Sequence, residues 1–208
     1  ITGRPGNILR RPMSIDPRLP GQLARLAIKY DICRALVELI TNSDDSYNRL
    51  MDKGAHGDGK IIIHICRKRK GNSIIRVIDH AEGMDKMSKE NKIGSYAAAT
   101  SGFADGQNVR GYFGRGLKDA IIALGEGYIY SVKDKNIYQC WLNKDSFDGP
   151  IETKINSSER NKLENLYGIS QNGTIIQITI TNERVAIPQF DTIALYIQRY
   201  YSLRDINS

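Results

Sequence analysis

The order of helix-like and strand-like segments is the feature that most constrains how this chain can fold. Two pairs of strand patterns follow each other with no helix between them: "KIIIHICRKR" with "SIIRVIDH", and "GYIYSVKD" with "NIYQCWLN". A doubly wound parallel sheet needs strict alternation of strand and helix, which this chain lacks, so the pattern predicts an α+β sandwich. Further strands are predicted at "PIETKIN" and "GTIIQITIT", and helices at about residues 19–30, 31–51, 84–93, 115–124 and 158–166 and from Pro188 onward.

The chain shows no internal repeat, low-complexity tract or linker, which favours a single domain. Its 208 residues are enough for one substantial core. Residues 1–18 are rich in proline and arginine and carry no period, so we expect an extended arm followed by one domain over residues 19–208. Because the first residue is Ile1 rather than methionine, we expect a fragment, the N-terminal part of a larger protein.

Composition excludes several classes of protein. No apolar run approaches the ~18 residues needed to cross a bilayer, and no signal peptide opens the chain, so we expect no membrane partner. Three distant cysteines do not make a disulfide framework. This favours an intracellular protein, cytoplasmic, or nuclear if the source is eukaryotic.

The net charge of +7 allows acidic partners such as nucleotides or nucleic acid. The densest basic cluster is "RKRK", residues 67–70, between two predicted strands. Two interpretations stay open for this cluster: contact with nucleic acid, or charged protection of a hairpin end.

The predicted helix over residues 31–51 has Asp31 as a favoured N-cap and carries one polar face. Glu38, Asn42 and Asp45 are spaced i, i+4 and i+7 and therefore share that face. Asparagine is unfavourable in mid-helix because its amide competes with backbone bonds. Its carbonyl oxygen is a good ligand for a hard cation, and a glutamate one turn earlier can orient a water. A solvated polar face is the alternative interpretation.

The stretch "IIRVIDHAEGM" is a hydrophobic strand that ends in Asp79, with Gly83 and Met84 four and five residues further on. An aspartate at a strand end can accept a hydrogen bond from the exocyclic amine of adenine, and the glycine lets the backbone turn close against the base. By itself the stretch is better explained as an ordinary acidic turn.

The stretch "RGYFGRGLKDA" places Gly111, Gly114, Gly116 and Lys118 immediately before an apolar helical segment. Glycines before a helix expose backbone N–H groups, and the helix N-terminus adds partial positive charge, so both favour a phosphate. The spacing differs from the Walker pattern. Backbone flexibility is the alternative interpretation.

Taken in order, these stretches resemble the GHKL ATPase superfamily, named for gyrase, the ninety-kilodalton heat-shock chaperone, histidine kinases and MutL. "ELITNSDD" is similar to the Glu-x-x-x-Asn box, "DHAEGM" to the Asp-x-Gly-x-Gly-Met box and "GYFGRGLKD" to the second glycine box. "NGTIIQI" is similar to the final strand, whose threonine lies near the adenine-bound aspartate. The residues "GYFGRGLK" are most similar to MORC-type ATPases, and "IGSYAAATSG" resembles the start of the chaperone's ATP lid. Residues 94–110 are small, polar and glycine-containing, which is typical of a mobile loop, and we expect the lid over residues 94–116.

The resemblance spans about residues 31–180 and implies a Bergerat fold, a two-layer sandwich with a mixed, mostly antiparallel sheet covered by helices on one face. It implies binding and slow hydrolysis of ATP with Mg²⁺, lid closure, and an ATP-dependent homodimer of a larger multidomain protein. Glu38 is then the general base, Asn42 the Mg²⁺ ligand, and Asp45 part of the metal and water network. The other implied nucleotide contacts are Asp79, Gly83, Met84, Gly111, Gly114, Gly116, Lys118 and Thr174.

The segment "DHAEGM", residues 79–84, which we call the adenine box, departs from the family pattern at two positions. Ala81 stands where the first glycine is usual, and His80 where asparagine is common. If that position needs positive φ, alanine costs about 1 kcal/mol and predicts a weaker or shifted pocket. Two alternatives stay open: a nucleotide-sensing module without turnover, and histidine-kinase-type phosphotransfer, against which Glu38 argues because kinase members usually lack that glutamate.

Overall fold

The computed structural model of the chain describes residues 18–54, 59–85 and 115–200. The helices in these ranges are α1 Leu19–Ile28, α2 Ile32–Asp52, α3 Gly116–Leu124, α4 Ser157–Tyr167 and α5 Phe190–Arg199. The strands are β1 Ile61–Cys66, β2 Ile74–Asp79, β3 Gly125–Lys133, β4 Asn136–Leu142, β5 Phe147–Lys154 and β6 Gly173–Ile180. The predicted arm up to residue 17, most of the predicted helix over 84–93, the loop over 94–110, and Gly111 and Gly114 lie outside the described residues.

The six strands form one sheet in the order β1-β2-β6-β3-β4-β5. Each of the five described strand pairs is antiparallel. β6, which comes last in the sequence, lies between β2 and β3, and this insertion brings the ends of three distant segments together. The predicted α+β sandwich is confirmed.

Successive strand residues point to opposite sides of the sheet, so each face carries its own hydrophobic core. The two cores differ in size. The larger core lies between the sheet and helices α1, α2, α3 and α5, and it includes Ile28, Ile32, Leu36, Leu39, Ile75, Ile121, Leu124, Ile129, Ile178 and Ile193. The smaller core, on the opposite face, contains Ile78, Val132, Ile137, Leu163, Ile169 and Ile175. Four described helices therefore share one face as predicted, and α4 adds Leu163 to the other.

The helix ends follow local rules that the sequence already carries. Asp31 caps α2 by accepting a hydrogen bond from the Cys33 N–H at 2.8 Å. Asn156 caps α4, and its side chain and that of Glu159 form a reciprocal capping box. At the other end of α4, Gly168 adopts left-handed geometry with φ 70°.

Strand β5 begins earlier than the sequence suggested. It starts at Phe147, three residues before the predicted start at Pro150. The composition "DSFDGP" is typical of a turn and hides the strand. β5 lies at the edge of the sheet, where a proline is tolerated because one side of the strand has no ladder to complete.

No helix among the described residues is long and apolar enough to span a bilayer.

Candidate nucleotide-binding site

Three polar side chains form a row across the helix-covered face of the sheet, where β2, β6 and β3 lie side by side. Asp79 pairs in register with Thr174, and Thr174 pairs with Ser131. All three are buried. Buried polar groups need partners, and the row lies at the boundary between the main core and the loop that follows β2. The register therefore brings two of the predicted adenine contacts, Asp79 and Thr174, next to each other.

The Asp79 carboxylate is held by donors from two elements. Ser43 in α2 donates its hydroxyl to Oδ2 at 3.0 Å, and the Ala81 N–H donates to Oδ1 at 3.1 Å. Burial raises the pKa of Asp79, while these two hydrogen bonds oppose the increase. A carboxylate fixed in this way has a defined orientation, which is what recognition of an exocyclic amine requires.

Ser131 connects the row to the turn after β2. Its hydroxyl accepts a hydrogen bond from the Met84 N–H at 2.7 Å and donates one to the Gly173 carbonyl at 3.1 Å. The Thr174 hydroxyl lies 3.3 Å from it. Ser131 is thus a buried link between the adenine box and two strands, and the sequence analysis did not single it out.

The turn itself depends on Gly83 and not on Ala81. Gly83 has φ 67°, and a Cβ there would collide with the Val132 carbonyl. Ala81 is buried and is not among the described residues with positive φ, so alanine at this position is unstrained. Position 81 does not need positive φ, so the backbone gives no reason to expect a weaker or shifted pocket from Ala81. His80 instead packs outward, with Nε2 2.9 Å from the Tyr167 carbonyl oxygen.

Glu38 and Gly116 bring α2 and α3 into close contact. A Cβ on Gly116 would collide with Oε2 of Glu38, so the carboxyl group occupies the space that a side chain would need. Gly116 is the first residue of α3, where the backbone N–H groups point away from the helix. Burial raises the pKa of Glu38, and the nearby Asp119 carboxylate raises it further.

Asn42 lies one turn after Glu38 and is exposed. Its Nδ2 donates to the Glu38 carbonyl oxygen at 2.6 Å. This bond uses the donor atom of the Asn42 side-chain amide, and it leaves the acceptor atom, Oδ1, available for a ligand. Asp45, one turn further on, is buried on the same helix.

Lys118 lies inside the molecule, with 1% of its surface exposed. Burial lowers the pKa of Lys118 to about 8, while Asp119 opposes this decrease and Arg115 adds to it. At neutral pH the side chain therefore keeps most of its positive charge. Lys118 lies in the first turn of α3, two residues after Gly116.

The sequence analysis missed three residues of this arrangement: Ser43, Tyr47 and Ser131. The Tyr47 hydroxyl accepts a hydrogen bond from the His80 N–H at 2.9 Å and donates one to the Lys60 carbonyl at 2.7 Å. These bonds tie α2 to the residue after β2 and to the residue before β1. A signal existed for Ser131, because it lies two residues after the apolar Ile129 in the same strand and therefore points to the same face. Ser43 and Tyr47 had no comparable signal, since their partners are distant in the sequence.

The fold is therefore an α+β domain in which a buried polar row lies at the ends of β2, β6 and β3, and the N-terminus of α3 lies beside Glu38. The family model that matches the chain is described as "Histidine kinase-, DNA gyrase B-, and HSP90-like ATPase", and it covers residues 30–174. The chain belongs to this family, and the domain binds adenine nucleotide.

A solved structure with the same fold contains the ATPase and transducer domains of DNA topoisomerase II from Balamuthia mandrillaris. The TM-score is 0.54 and the identity 16%, and the match covers 76% of this chain and 39% of that chain. At this identity the likeness shows the fold alone. Comparison with curated proteins gave no match.

Proposed function

We propose that this domain binds ATP with Mg²⁺ and hydrolyses it slowly, and that the nucleotide state controls lid closure and pairing of two copies. The observation that carries the proposal is the placement of Glu38. Its carboxyl group is half-buried against the first residue of α3, one helical turn before Asn42. A base and a metal ligand on one helix face, next to a helix N-terminus, are the groups that phosphoryl transfer to water requires.

The orientation of ATP follows from the two ends of the site. Asp79 and Thr174 lie at the sheet end, where the fixed carboxylate accepts a hydrogen bond from the adenine amine. The N-terminus of α3 and the charge of Lys118 favour the phosphates at the other end. Gly111 and Gly114 are proposed to continue this phosphate-binding segment.

Asn42 fits a magnesium site in which phosphates and water supply most of the ligands. It fits less well a metal site built wholly from protein side chains. Within the described residues no group of three or more histidine, cysteine, aspartate or glutamate side chains could hold a metal ion. Mg²⁺ is usually bound through one or two protein ligands together with substrate phosphates and water. Oδ1 of Asn42 supplies such a ligand, and Asp45 would support the surrounding water network. The ion, when bound, neutralises phosphate charge.

Glu38 acts on the attacking water. Its raised pKa makes it a stronger proton acceptor than an exposed glutamate, provided that it is ionised. Turnover should therefore rise with pH through the raised pKa of Glu38. This role distinguishes hydrolysis from phosphotransfer to a histidine, which needs no activated water.

Binding is tested by calorimetry with a non-hydrolysable ATP analogue, with and without Mg²⁺. We expect saturable binding that weakens without the ion and is lost in Asp79→Ala, which removes the adenine acceptor. Absence of heat at millimolar analogue with Mg²⁺ would reject the proposal.

Hydrolysis is tested by comparing Glu38→Ala with Asn42→Ala. General-base catalysis is worth about 10²–10⁴-fold, or roughly 3–5 kcal/mol, so Glu38→Ala should lose turnover by that factor and keep its ATP affinity. Asn42→Ala removes a metal ligand and should weaken binding itself. If Glu38→Ala loses affinity as severely as Asn42→Ala, Glu38 is structural and the domain is a nucleotide-sensing module.

A further inference from the structure

The face of the sheet opposite the nucleotide site carries a continuous row of polar and aromatic side chains. Strand register aligns one residue from each of the six strands, and we call these residues the outer row: His64, Arg76, Gln177, Tyr128, Trp141 and Asp148. They alternate with residues of the main core, so they point to the opposite face. A hydrogen bond from Nε of Arg76 to Oε1 of Gln177, at 2.6 Å, joins two of them across β2 and β6.

The centre of the outer row is an aromatic pair on neighbouring strands. Tyr128 and Trp141 are register partners, and Tyr128 leaves 53% of its surface exposed. Of the described helices, α4 packs on this face, and its buried residue Leu163 joins the smaller core with Ile78 and Val132. The outer row lies beyond that cluster. Trp141 is half-buried, so the two rings together leave aromatic surface open on this face, which favours a ligand that stacks.

Positive charge is concentrated at one end of this face. Arg76 lies next to the β1–β2 hairpin, whose turn carries the exposed residues Lys68, Arg69 and Lys70. The side chain of Arg67 is used within the fold, since it donates to the Pro188 carbonyl. From Arg76 to Ile74, the first residue of β2, is about 7 Å along the strand, and from Arg76 to Tyr128 about 10 Å across the sheet. The anionic member of the row, Asp148, lies at the far edge, and a second acidic residue of this face, Glu126, lies two residues before Tyr128 in β3.

We propose that the outer row and the β1–β2 hairpin form a binding platform for single-stranded nucleic acid. Bases stack on Tyr128 and Trp141, while Arg76 and the hairpin lysines contact the phosphates. Stacking platforms flanked by cationic side chains are the general solution for single strands, because every base has a π-face and every phosphate a charge. The basic residues of the hairpin favour this partner over a second protein surface, because they complement the charge of the phosphates.

The test is fluorescence anisotropy with labelled oligothymidylate and oligouridylate of about 12 nucleotides, without adenine nucleotide. The result is then independent of ATP binding. Tyr128→Ala should weaken binding roughly 5- to 150-fold, and Tyr128→Phe, which keeps the ring, should restore it. Arg76→Gln should reduce the slope of log affinity against log salt by about 0.7.

Two variants on the helix side are the matched controls. Phe190 in α5 is 74% exposed, and Arg199 at the end of α5 is exposed, so Phe190→Ala and Arg199→Gln remove the same chemistry from the other face. Both should keep the parental affinity. The proposal is wrong if neither oligonucleotide binds at about 0.1 mM protein in low salt, or if Phe190→Ala weakens binding as much as Tyr128→Ala. It is also wrong if Tyr128→Ala changes self-association in sedimentation and leaves oligonucleotide affinity unchanged.

Discussion

At the scale of single residues, the site depends on two glycines that are needed for different reasons. Gly116 leaves room for the flexible end of the Glu38 side chain, whereas Gly83 has positive φ and faces the backbone carbonyl of Val132. A side-chain end can move at little cost, but a backbone carbonyl within a sheet cannot. The two positions should therefore respond differently to the same substitution.

We expect Gly116→Ala to displace the Glu38 carboxyl group, lowering turnover while stability stays within about 1 kcal/mol of the parent. Gly83→Ala should lower both stability and ATP affinity, because the turn next to Asp79 cannot keep its conformation. Gly21, whose Cβ would meet no atom within 4 Å, is the control. Urea unfolding and ATP titration measure the two effects, and equal loss of stability in both variants would contradict this account.

The raised pKa of Glu38 also predicts a cost in stability. A carboxyl group whose pKa is higher in the folded than in the unfolded state contributes stability that is present below the unfolded pKa and lost as pH rises through the folded pKa. Glu38 is therefore destabilising at neutral pH. Glu38→Gln should raise Tm at pH 7, with a gain that shrinks toward about pH 4, while hydrolysis is lost. A gain of the same size at both pH values would exclude ionisation of Glu38 as the cause.

At the scale of elements, Ser131 joins the turn after β2 to the middle of the sheet. Ser131→Ala removes the acceptor of the Met84 N–H and the donor to the Gly173 carbonyl. Leaving such groups unpaired costs about 1–3 kcal/mol of unfolding free energy. We also expect weaker ATP binding, since the same turn borders Asp79. Ser158→Ala, at an exposed position of α4, is the control in denaturant unfolding; a variant at position 131 with parental stability would rule out this role.

At the scale of the whole molecule, the proposed lid over residues 94–116 and the pairing of two copies should both respond to nucleotide. In sedimentation, Mg²⁺ with a non-hydrolysable ATP analogue should shift the protein from monomer toward dimer, and Asp79→Ala should abolish the shift. Limited proteolysis follows the lid in the same samples, since ordering of a segment slows its cleavage. Cleavage within 94–116 at equal rates with and without nucleotide would refute lid closure.

The sequence by itself determined the local features, because their causes lie within a few residues. The Asp31 cap, the polar face of α2 with Glu38 and Asn42, and the strand that ends in Asp79 all follow from spacing and side-chain chemistry. Together with the order of the strand patterns and the glycine-rich stretch before α3, these features predicted the α+β class and a nucleotide site. The strand register and the burial of individual side chains could not be predicted from these local features, because both depend on which distant segments become neighbours.

Tertiary structure alone decided how those features meet. The insertion of β6 between β2 and β3 put Asp79, Thr174 and Ser131 in one row, although almost a hundred residues separate the first two. Burial in the folded chain lowers the pKa of Lys118, and a lysine in a polar, glycine-rich stretch gives no local sign of this. The conformation of Ala81 was likewise set by its surroundings. Contacts between distant segments determine burial, register and φ, so only the folded chain could show them.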